Sequence, residues 1–336
     1  MHRIKVSLVL IVTVILVSIA IVCLMFRPLQ SSAVPIMFQI KLGASSHLIA
    51  EDLARKSLIR TPLAFSLLTR VTGTSRDLKA GTYRLSGAMS LLQIFYCLRD
   101  GKTIMRKFVV PEGKTLDEIA QIYEQSGFGS ADQFRQAVRD PNWQVKYTIE
   151  SDFLEGYLFP DTYYFRDDVS AEIVIQTMLE RLDRKWTDKM TKAAESIGMS
   201  RHDIITLASI IEMEATLSEE RAVISGVFHN RLRLGWRLDA DPTVIYGLGD
   251  PGRLLTKSDL KRDTPYNTYV HRGLPPGPIC NPGESCILAA LYPEDVPYFF
   301  FVAINGIRHH FSESLQEHQS MIVEIKRKNR DRSFRR

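Results

Sequence analysis

The chain has 336 residues, of which 45% are hydrophobic and 24% are charged, a balance that excludes disorder over most of its length. At about 100 to 200 residues per domain, the length predicts two or three domains that fold without disulfide or metal staples. The net charge is +5, but residues 326–336 contribute +6 from seven basic side chains and one acidic one. The rest of the chain is nearly neutral, so its charge gives no support for nucleic-acid binding.

A run of 21 uncharged residues covers positions 6–26, which is long enough for one membrane-spanning helix. His2, Arg3 and Lys5 precede this run, and the positive-inside rule therefore places the N-terminus in the cytoplasm and the rest of the chain outside. A cleavable signal peptide is the alternative, but residues 20–23 match a cleavage site poorly. We expect a single-pass protein of the cell inner (cytoplasmic) membrane.

A strand-turn-helix pattern occurs twice, with the copies seventy residues apart. Residues 38–40 form the first predicted strand, and a turn at 43–45 leads into a helix whose expected apolar side consists of Leu48, Ile49, Leu53 and Leu58. In the second copy the strand is 108–110, and Thr115 with Glu118 forms a capping box where the helix begins. The same small unit is therefore expected twice.

The remaining pattern predicts an α+β fold, because strands and helices do not alternate regularly. A strand is expected at 81–85, a short helix at 90–98 and a buried strand at 298–304, with helices near 170–197, 200–215 and 219–233. We expect four segments: a cytoplasmic tip and anchor at 1–27, a small α+β domain at 28–104, a larger mixed α+β domain at 105–325 that opens with the second copy, and a basic tail at 326–336.

Glu212 is the best candidate for acid/base chemistry. It follows a helix beginning at Ser200 that is apolar or small on both faces, so this helix is expected to be buried all round. Burial disfavours the charged form of a carboxyl group, which would let Glu212 donate a proton near neutral pH. The alternative is an exposed or ion-paired glutamate at the helix end. Glu214, two positions later, should point to the other side of the helix.

Three loop-like segments combine aromatic rings with carboxylates and amides, namely residues 154–163, 241–246 and 265–279. Such side chains suit a sugar-binding groove, in which rings stack on pyranose faces and amides bond to hydroxyl and N-acetyl groups. Core packing is the alternative for each aromatic residue.

No metal or other cofactor is expected. His309, His310, His318 and Glu313 lack the usual zinc-binding spacings. Four cysteines are present, without a CxxC ladder. Cys280 and Cys286 are close together and would lie in an oxidising compartment, so we expect a disulfide, with two reduced thiols as the alternative.

Five motifs in this order resemble the YceG-like family of endolytic murein transglycosylases, often called MltG. They are Leu154-Glu155-Gly156-Tyr157-Leu158-Phe159-Pro160-Asp161-Thr162-Tyr163, Ala208-Ser209-Ile210-Ile211-Glu212-Met213-Glu214, Asp241-Pro242-Thr243-Val244-Ile245-Tyr246-Gly247, Tyr266-Asn267-Thr268-Tyr269 and Gly273-Leu274-Pro275-Pro276-Gly277-Pro278-Ile279. The stretch 113–120, in the second copy, is similar to the opening of a LysM peptidoglycan-binding module. Because the 28–104 domain contains the first copy of the same pattern, we expect it to be LysM-like as well.

The resemblance implies a membrane-anchored enzyme that cuts nascent peptidoglycan strands at the MurNAc-GlcNAc β-1,4 bond and leaves 1,6-anhydroMurNAc ends, thereby ending glycan elongation. Glu212 occupies the position of the catalytic glutamate. The expected substrate-binding residues are Glu155, Tyr157, Asp241, Tyr246, Asn267, Tyr269 and His310. Peptidoglycan synthases (penicillin-binding proteins) are the partners expected by analogy, and the catalytic domain is expected to be periplasmic or extracytoplasmic.

The chain departs from the family pattern at a few positions. Asp239 stands where Gln is common, Arg308-His309-His310-Phe311 replaces a Gly-His-x-Phe stretch, and Gln319 replaces Asn. Asp239 adds a charge near the expected groove. A non-catalytic, membrane-tethered peptidoglycan-binding scaffold and a hydrolase that leaves reducing ends are the rival functions.

Overall fold

The computed structural model of the protein describes residues 24, 26–41, 43–250, 252–304 and 306–333. The spanning helix expected at 6–26 lies outside these residues, apart from positions 24 and 26. Among the residues described, no helix is both long and apolar enough to cross a membrane. The chain divides into two compact units, one up to Lys107 with Tyr164–Val169 added, and one comprising Phe108–Tyr163 and Ser170 onward.

The first unit is a small α+β domain. Its elements are β1 (Ile36–Ile40), α1 (Ser46–Arg55), α2 (Pro62–Val71), β2 (Gly81–Leu85) and α3 (Leu91–Arg99). Strands β1 and β2 are antiparallel, with Ile36 opposite Leu85 and Ile40 opposite Gly81. The helices bury their apolar sides in a core that includes Phe38, Leu53, Phe65, Tyr83 and Ile94. Next come β3 (Met105–Val109) and, much later, β4 (Thr162–Arg166), which pair with each other.

The second unit is mainly helical and ends in a β-hairpin and a helix. Its elements are α4 (Leu116–Gln125), α5 (Ala131–Val138), α6 (Asn142–Tyr147), α7 (Ala171–Lys185), α8 (Asp188–Ser196), α9 (Arg201–Glu214), α10 (Arg221–Arg233), α11 (Asp241–Leu248), α12 (Glu284–Leu291), β5 (Phe300–Ala303), β6 (His309–Ser312) and α13 (Leu315–Ser333). Strands β5 and β6 are antiparallel. The α+β class is thus confirmed.

Helix α9 is the centre of the second unit. Ser200 and Asp203 form a capping box at its start, and eight consecutive residues from Ile204 to Ile211 are buried. Helices α10, α11 and α12 pack around it. The expectation of a helix buried all round is confirmed, and its last turn carries Glu212.

The strand-turn-helix pattern is present in both copies. Gly43 and Gly113 adopt nearly equal positive φ angles of 80° and 77° at the turns, a conformation that favours glycine because it has no Cβ. In the second copy, Thr115 and Glu118 form the expected capping box. The prediction of the apolar side of the first helix was partly wrong, because Leu48 is 55% exposed.

Two further expectations about secondary structure are corrected. The segment 241–246 is not a loop but the start of α11, where Pro242 occupies the first turn, the one place where proline's missing N–H costs a helix nothing. The strand expected to be buried at 298–304 is β5, whose residues are only half-buried or exposed.

Candidate active site

Glu212 lies in the last turn of α9, and its side chain is only 9% exposed. One carboxylate oxygen accepts a hydrogen bond of 2.9 Å from the backbone N–H of Gly283. The other lies 4.0 Å from Nη2 of Arg221 on α10. The carboxyl group is therefore held in place at the edge of the core, with a cation beside it.

The loop that supplies Gly283 runs along α9. The backbone N–H of Ile279 donates to the hydroxyl of Ser209 at 3.0 Å, and the thiol of Cys280 donates to the carbonyl of Ser209 at 3.4 Å. Ser209 precedes Glu212 by about one helical turn. The loop is thus fixed to the helix three and four residues before the point where it meets the carboxylate.

A second loop, between β3 and α4, lies against the first. Lys114 and Asn281 form an isolated antiparallel bridge, in which Asn281 donates to the Lys114 carbonyl at 2.9 Å and Gly113 donates to the Asn281 carbonyl at 2.9 Å. A Cβ placed on Gly113 would lie 3.6 Å from Cγ of Glu212. The turn of the second strand-turn-helix unit therefore reaches the candidate acid.

Glu112, which precedes that turn, brings a second carboxyl group to Gly283. A Cβ on Gly283 would overlap the Glu112 carboxyl group, so only glycine leaves room for it there. Partial burial raises the pKa of Glu112, the charge of Glu212 raises it further, and Arg221 opposes both. Cys286 on α12 also lies close by: burial raises the pKa of its thiol most, followed by the charge of Glu212 and a hydrogen bond to it.

Glu155 is buried and fully engaged by protein donors. It accepts hydrogen bonds from the N–H of Leu116 at 3.0 Å, the amide of Asn281 at 3.0 Å and the hydroxyl of Tyr246 at 3.3 Å. Burial raises its pKa to about 8, although the hydrogen bonds from Leu116 and Tyr246 favour the charged form. Asn281 lies two residues before Gly283, so Glu155 supports the loop that holds Glu212. Contact between Glu155 and a glycan stays a prediction.

Asp241 and Tyr269 lie together on the other side of α9. The Tyr269 hydroxyl donates to Asp241 at 2.7 Å. Burial raises the pKa of Glu214 to about 7, with the charge of Asp241 adding to this and Arg231 opposing it. Glu214 thus belongs to a different group of charges from Glu212, as expected from their spacing.

Asp239 has an unusual backbone conformation and two arginine neighbours. Its φ is 48°, and its carboxylate lies 3.9 Å from Nη1 of Arg231 and 3.8 Å from Nε of Arg237. Burial raises its pKa, and both arginines oppose this effect. The charge of Asp239 is therefore balanced by cations.

The other predicted binding residues have protein partners. The Tyr157 hydroxyl bonds to Nδ1 of His202 at 2.8 Å. The side-chain amide of Asn267, which is fully buried, donates to the carbonyl of Arg262 at 2.7 Å. His310 on β6 lies 3.6 Å from a Glu317 oxygen on α13. The structure does not bring these three residues to Glu212 through any described contact, and their role in glycan binding stays a prediction.

The expected disulfide is wrong: Cys280 and Cys286 are free thiols, and both are fully buried. Each sulfur points instead toward an acceptor on α9, Cys280 toward the Ser209 carbonyl and Cys286 toward Glu212.

A cavity of about 840 Å³ lies at the opposite end of α9 from Glu212, and it is lined in part by His202, His229 and Pro276. His202 and Glu212 are separated by ten residues, or about 15 Å along the helix. We place the chemistry at Glu212 because a carboxyl group with fixed partners is found there. In the part of the chain that the structure describes, no His, Cys, Asp or Glu cluster is arranged to hold a metal ion.

Comparison with known proteins decides the family. The YceG-like family model matches residues 38–324. The chain belongs to the YceG-like family. It is 34% identical over 305 residues to the endolytic murein transglycosylase of Bacillus subtilis (strain 168), and the match covers 86% of this chain and 84% of that relative.

Two further comparisons extend this result. The YceG-like chain is 28% identical to the endolytic murein transglycosylase of Streptococcus pneumoniae serotype 2, covering 84% of itself and 57% of that longer relative. The crystal structure of a yceG-like protein from Listeria monocytogenes is 38% identical, with a TM-score of 0.59 over 86% of this chain and all of the other.

Sequence reasoning missed three members of the site of this YceG-like protein: Glu112, Arg221 and Gly283. The signal for Glu112 was its place before the turn glycine of the second strand-turn-helix unit, and the signal for Gly283 was the Asn281-Pro282-Gly283 turn. Neither signal shows that its segment lies beside Glu212, because Gly283 is 71 positions and Glu112 is 100 positions away in sequence.

Proposed function

We propose that this protein is a peptidoglycan lytic transglycosylase that cuts glycan strands internally, with Glu212 as its acid and base. The observation that carries the proposal is the mostly buried Glu212 carboxyl group, held by the Gly283 N–H at the end of a buried helix. Two relatives that match most of this chain are named endolytic murein transglycosylase, which gives the substrate class.

The proton transfers need one carboxyl group and no water. Protonated Glu212 gives its proton to the glycosidic oxygen as the bond to the anomeric carbon of MurNAc breaks. The O6 hydroxyl of the same sugar then attacks the anomeric carbon and gives its proton to the Glu212 carboxylate, which closes the 1,6-anhydro ring. Attack within one sugar ring gains from proximity, and Glu212 ends the cycle protonated.

The fixed geometry of Glu212 disfavours a non-catalytic scaffold. A binding protein requires aromatic and amide groups, whereas a mostly buried carboxyl group with few hydrogen-bond donors is costly to keep. An exposed glutamate at the end of α9 would have suited the scaffold equally well.

Product analysis tests the proposal. The full-length protein in detergent is incubated with purified sacculi, and the released muropeptides are reduced and weighed by mass spectrometry. We expect 1,6-anhydroMurNAc ends, which borohydride cannot reduce. Reducing ends that take up two hydrogens would identify a hydrolase instead, and intact sacculi would favour the scaffold.

We further propose an uncleaved anchor at 6–26, with the catalytic unit on the periplasmic or extracytoplasmic side of the cell inner membrane. The basis is the length of the uncharged run and the basic residues before it. Recovery of the native protein in the soluble fraction, with its N-terminus trimmed near residue 27, would reject the anchor.

The two strand-turn-helix units are proposed to be LysM-like elements that bind glycan strands. Cutting of nascent strands beside peptidoglycan synthases would then end glycan elongation. Pull-down of the detergent-solubilised protein with purified peptidoglycan, compared for the whole chain and a variant with the 36–104 segment deleted, tests the first unit: equal binding would contradict its role.

A further inference from the structure

Two carboxyl groups flank one backbone residue at the candidate active site. The Gly283 N–H donates to a Glu212 oxygen at 2.9 Å, and the Glu112 carboxyl group lies where a Gly283 Cβ would project. The path between them consists of one contact on each side, the N–Cα bond of Gly283 and the length of a Cα–Cβ bond, so the nearest oxygens of the two carboxyl groups are at most about 8 Å apart. Pairs of carboxyl groups within roughly 5 to 9.5 Å flank the scissile bond in ordinary glycosidases.

The two groups differ in exposure. Glu212 has a nearly buried side chain, whereas Glu112 is largely exposed and only partly shielded from solvent. In the described part of the chain, no donor is seen to form a hydrogen bond with the Glu112 carboxylate. A charge held against a glycine without a hydrogen-bond donor does little for the fold, and it is accessible to a bound glycan.

The charges around Glu112 are few and can be named. Glu212 on α9 raises the pKa of Glu112 and Arg221 on α10 lowers it. Both carboxyl groups raise the pKa of the Cys286 thiol on α12. Arg221 is itself fixed by donating to Ser285 at 2.7 Å. One arginine thus faces two carboxyl groups, which leaves a net negative charge when both are ionised.

We propose that Glu112 is the second carboxylate of the catalytic centre, and that it stabilises the positive charge that develops at the anomeric carbon as Glu212 protonates the leaving oxygen. This inference rests on the proposed function. Glu112 transfers no proton and forms no bond in this role. Its negative charge interacts more strongly with the transition state than with the neutral ground state, which is the condition for raising kcat.

The direct test is Glu112→Gln, which keeps the shape and removes the charge. With the full-length protein and defined uncrosslinked glycan strands, we expect kcat to fall about ten- to a hundredfold, as expected for a charge at this range, while KM changes little. Glu195→Gln, an exposed glutamate on α8, is the matched control and should keep wild-type rates.

The pH profile separates this role from a merely structural one. In the wild type, kcat should rise with pH on the acid side as Glu112 loses its proton. Partial burial raises the pKa of Glu112 and therefore moves this rise to higher pH. In Glu112→Gln the acid-side rise should flatten. Equal kcat within about twofold and an unchanged profile would overturn the inference.

A double-mutant cycle tests whether Gly283 acts through Glu112. Gly283 has φ −75° and ψ 164°, which alanine adopts readily, so Gly283→Ala mainly displaces the Glu112 carboxyl group. We expect Gly283→Ala to lower kcat in the wild type and to have no further effect in Glu112→Ala, where space for the new methyl group exists. Additive losses would contradict the proposal.

Failure of the inference and failure of the proposed function give different results. Wild-type protein that releases anhydro products while Glu112→Gln does so at the same rate contradicts the role of Glu112 alone. Wild-type protein that releases no anhydro products contradicts the proposed function, and the role of Glu112 with it.

Discussion

Replacing Glu212 by Gln is the sharpest test of the acid/base assignment. Gln has nearly the same shape, and its carbonyl oxygen can still accept the Gly283 N–H bond of 2.9 Å. The new amide would face Arg221, which is 4.0 Å from the present carboxylate, so no attractive short ion pair is lost. The fold should therefore survive, and only the proton transfers should be lost.

The expected loss of turnover is about 10² to 10⁴ fold, the range for removing a general acid or base. This equals roughly 3 to 5 kcal/mol of transition-state stabilisation. The assay is the rate of formation of anhydro ends from purified sacculi, with thermal unfolding as a check on folding. Glu214→Gln is the control, because Glu214 faces Asp241 and Arg231 instead. Near wild-type rates for Glu212→Gln would refute the reasoning, and an equal loss in a well-folded Glu214→Gln would move the role to Glu214.

Three further predictions concern the surroundings of the site. Gly156→Ala should lower the free energy of unfolding by on the order of 2 to 4 kcal/mol, because the φ angle of 86° disfavours alanine and a Cβ would clash with Pro278. Urea unfolding measures this loss, and wild-type stability would contradict the packing. Cys280 and Cys286 should both be alkylated in unfolded, unreduced protein, because both are free; protection of both would indicate a disulfide. Burial raises the pKa of Glu214 to about 7, so its contribution to stability is present at low pH and is lost as pH rises from about 4.5 through 7. The free energy of unfolding of Glu214→Gln, relative to wild type, should therefore rise by up to about 3 kcal/mol between pH 4 and pH 8. The same stability difference between variant and wild type at both pH values would contradict this prediction.

Short sequence motifs predicted the helix ends that depend on residues close together in sequence. The capping boxes at Ser200 and Thr115 and the turn glycines 43 and 113 mark their helices directly, because each depends on residues within four positions. Helix α11 was taken for a loop, although its proline stands in the first turn, where a helix tolerates it. The amphipathic α13 is only partly buried and carries much of the basic tail, and its polar composition hid a helix of 19 residues.

The candidate acid could be predicted from sequence, but most of its surroundings could not. Glu212 follows a run of eight buried residues that is visible as an apolar stretch. The loop carrying Gly283 and the turn carrying Glu112 reach it through backbone hydrogen bonds, which any residue other than proline can donate. Such contacts leave no pattern of residue types, so the second carboxyl group was missed.

The buried Glu155 has a structural role beside the candidate active site, and this role accounts for the presence of a group that is costly to bury. Its carboxyl group ties the N-terminal N–H of α4, through Leu116, to the amide of Asn281. Asn281 also donates to Lys114 and, through its oxygen, accepts from the N–H of Leu158 at 2.8 Å. A hydrophobic residue could fill the space but could not join three loops, and each loop would then leave buried polar groups unsatisfied. The segments that present Glu112 and Gly283 to Glu212 are therefore held together by the carboxyl group of Glu155. The reacting carboxyl group of Glu212 accepts one short hydrogen bond from backbone and stays available for proton transfer.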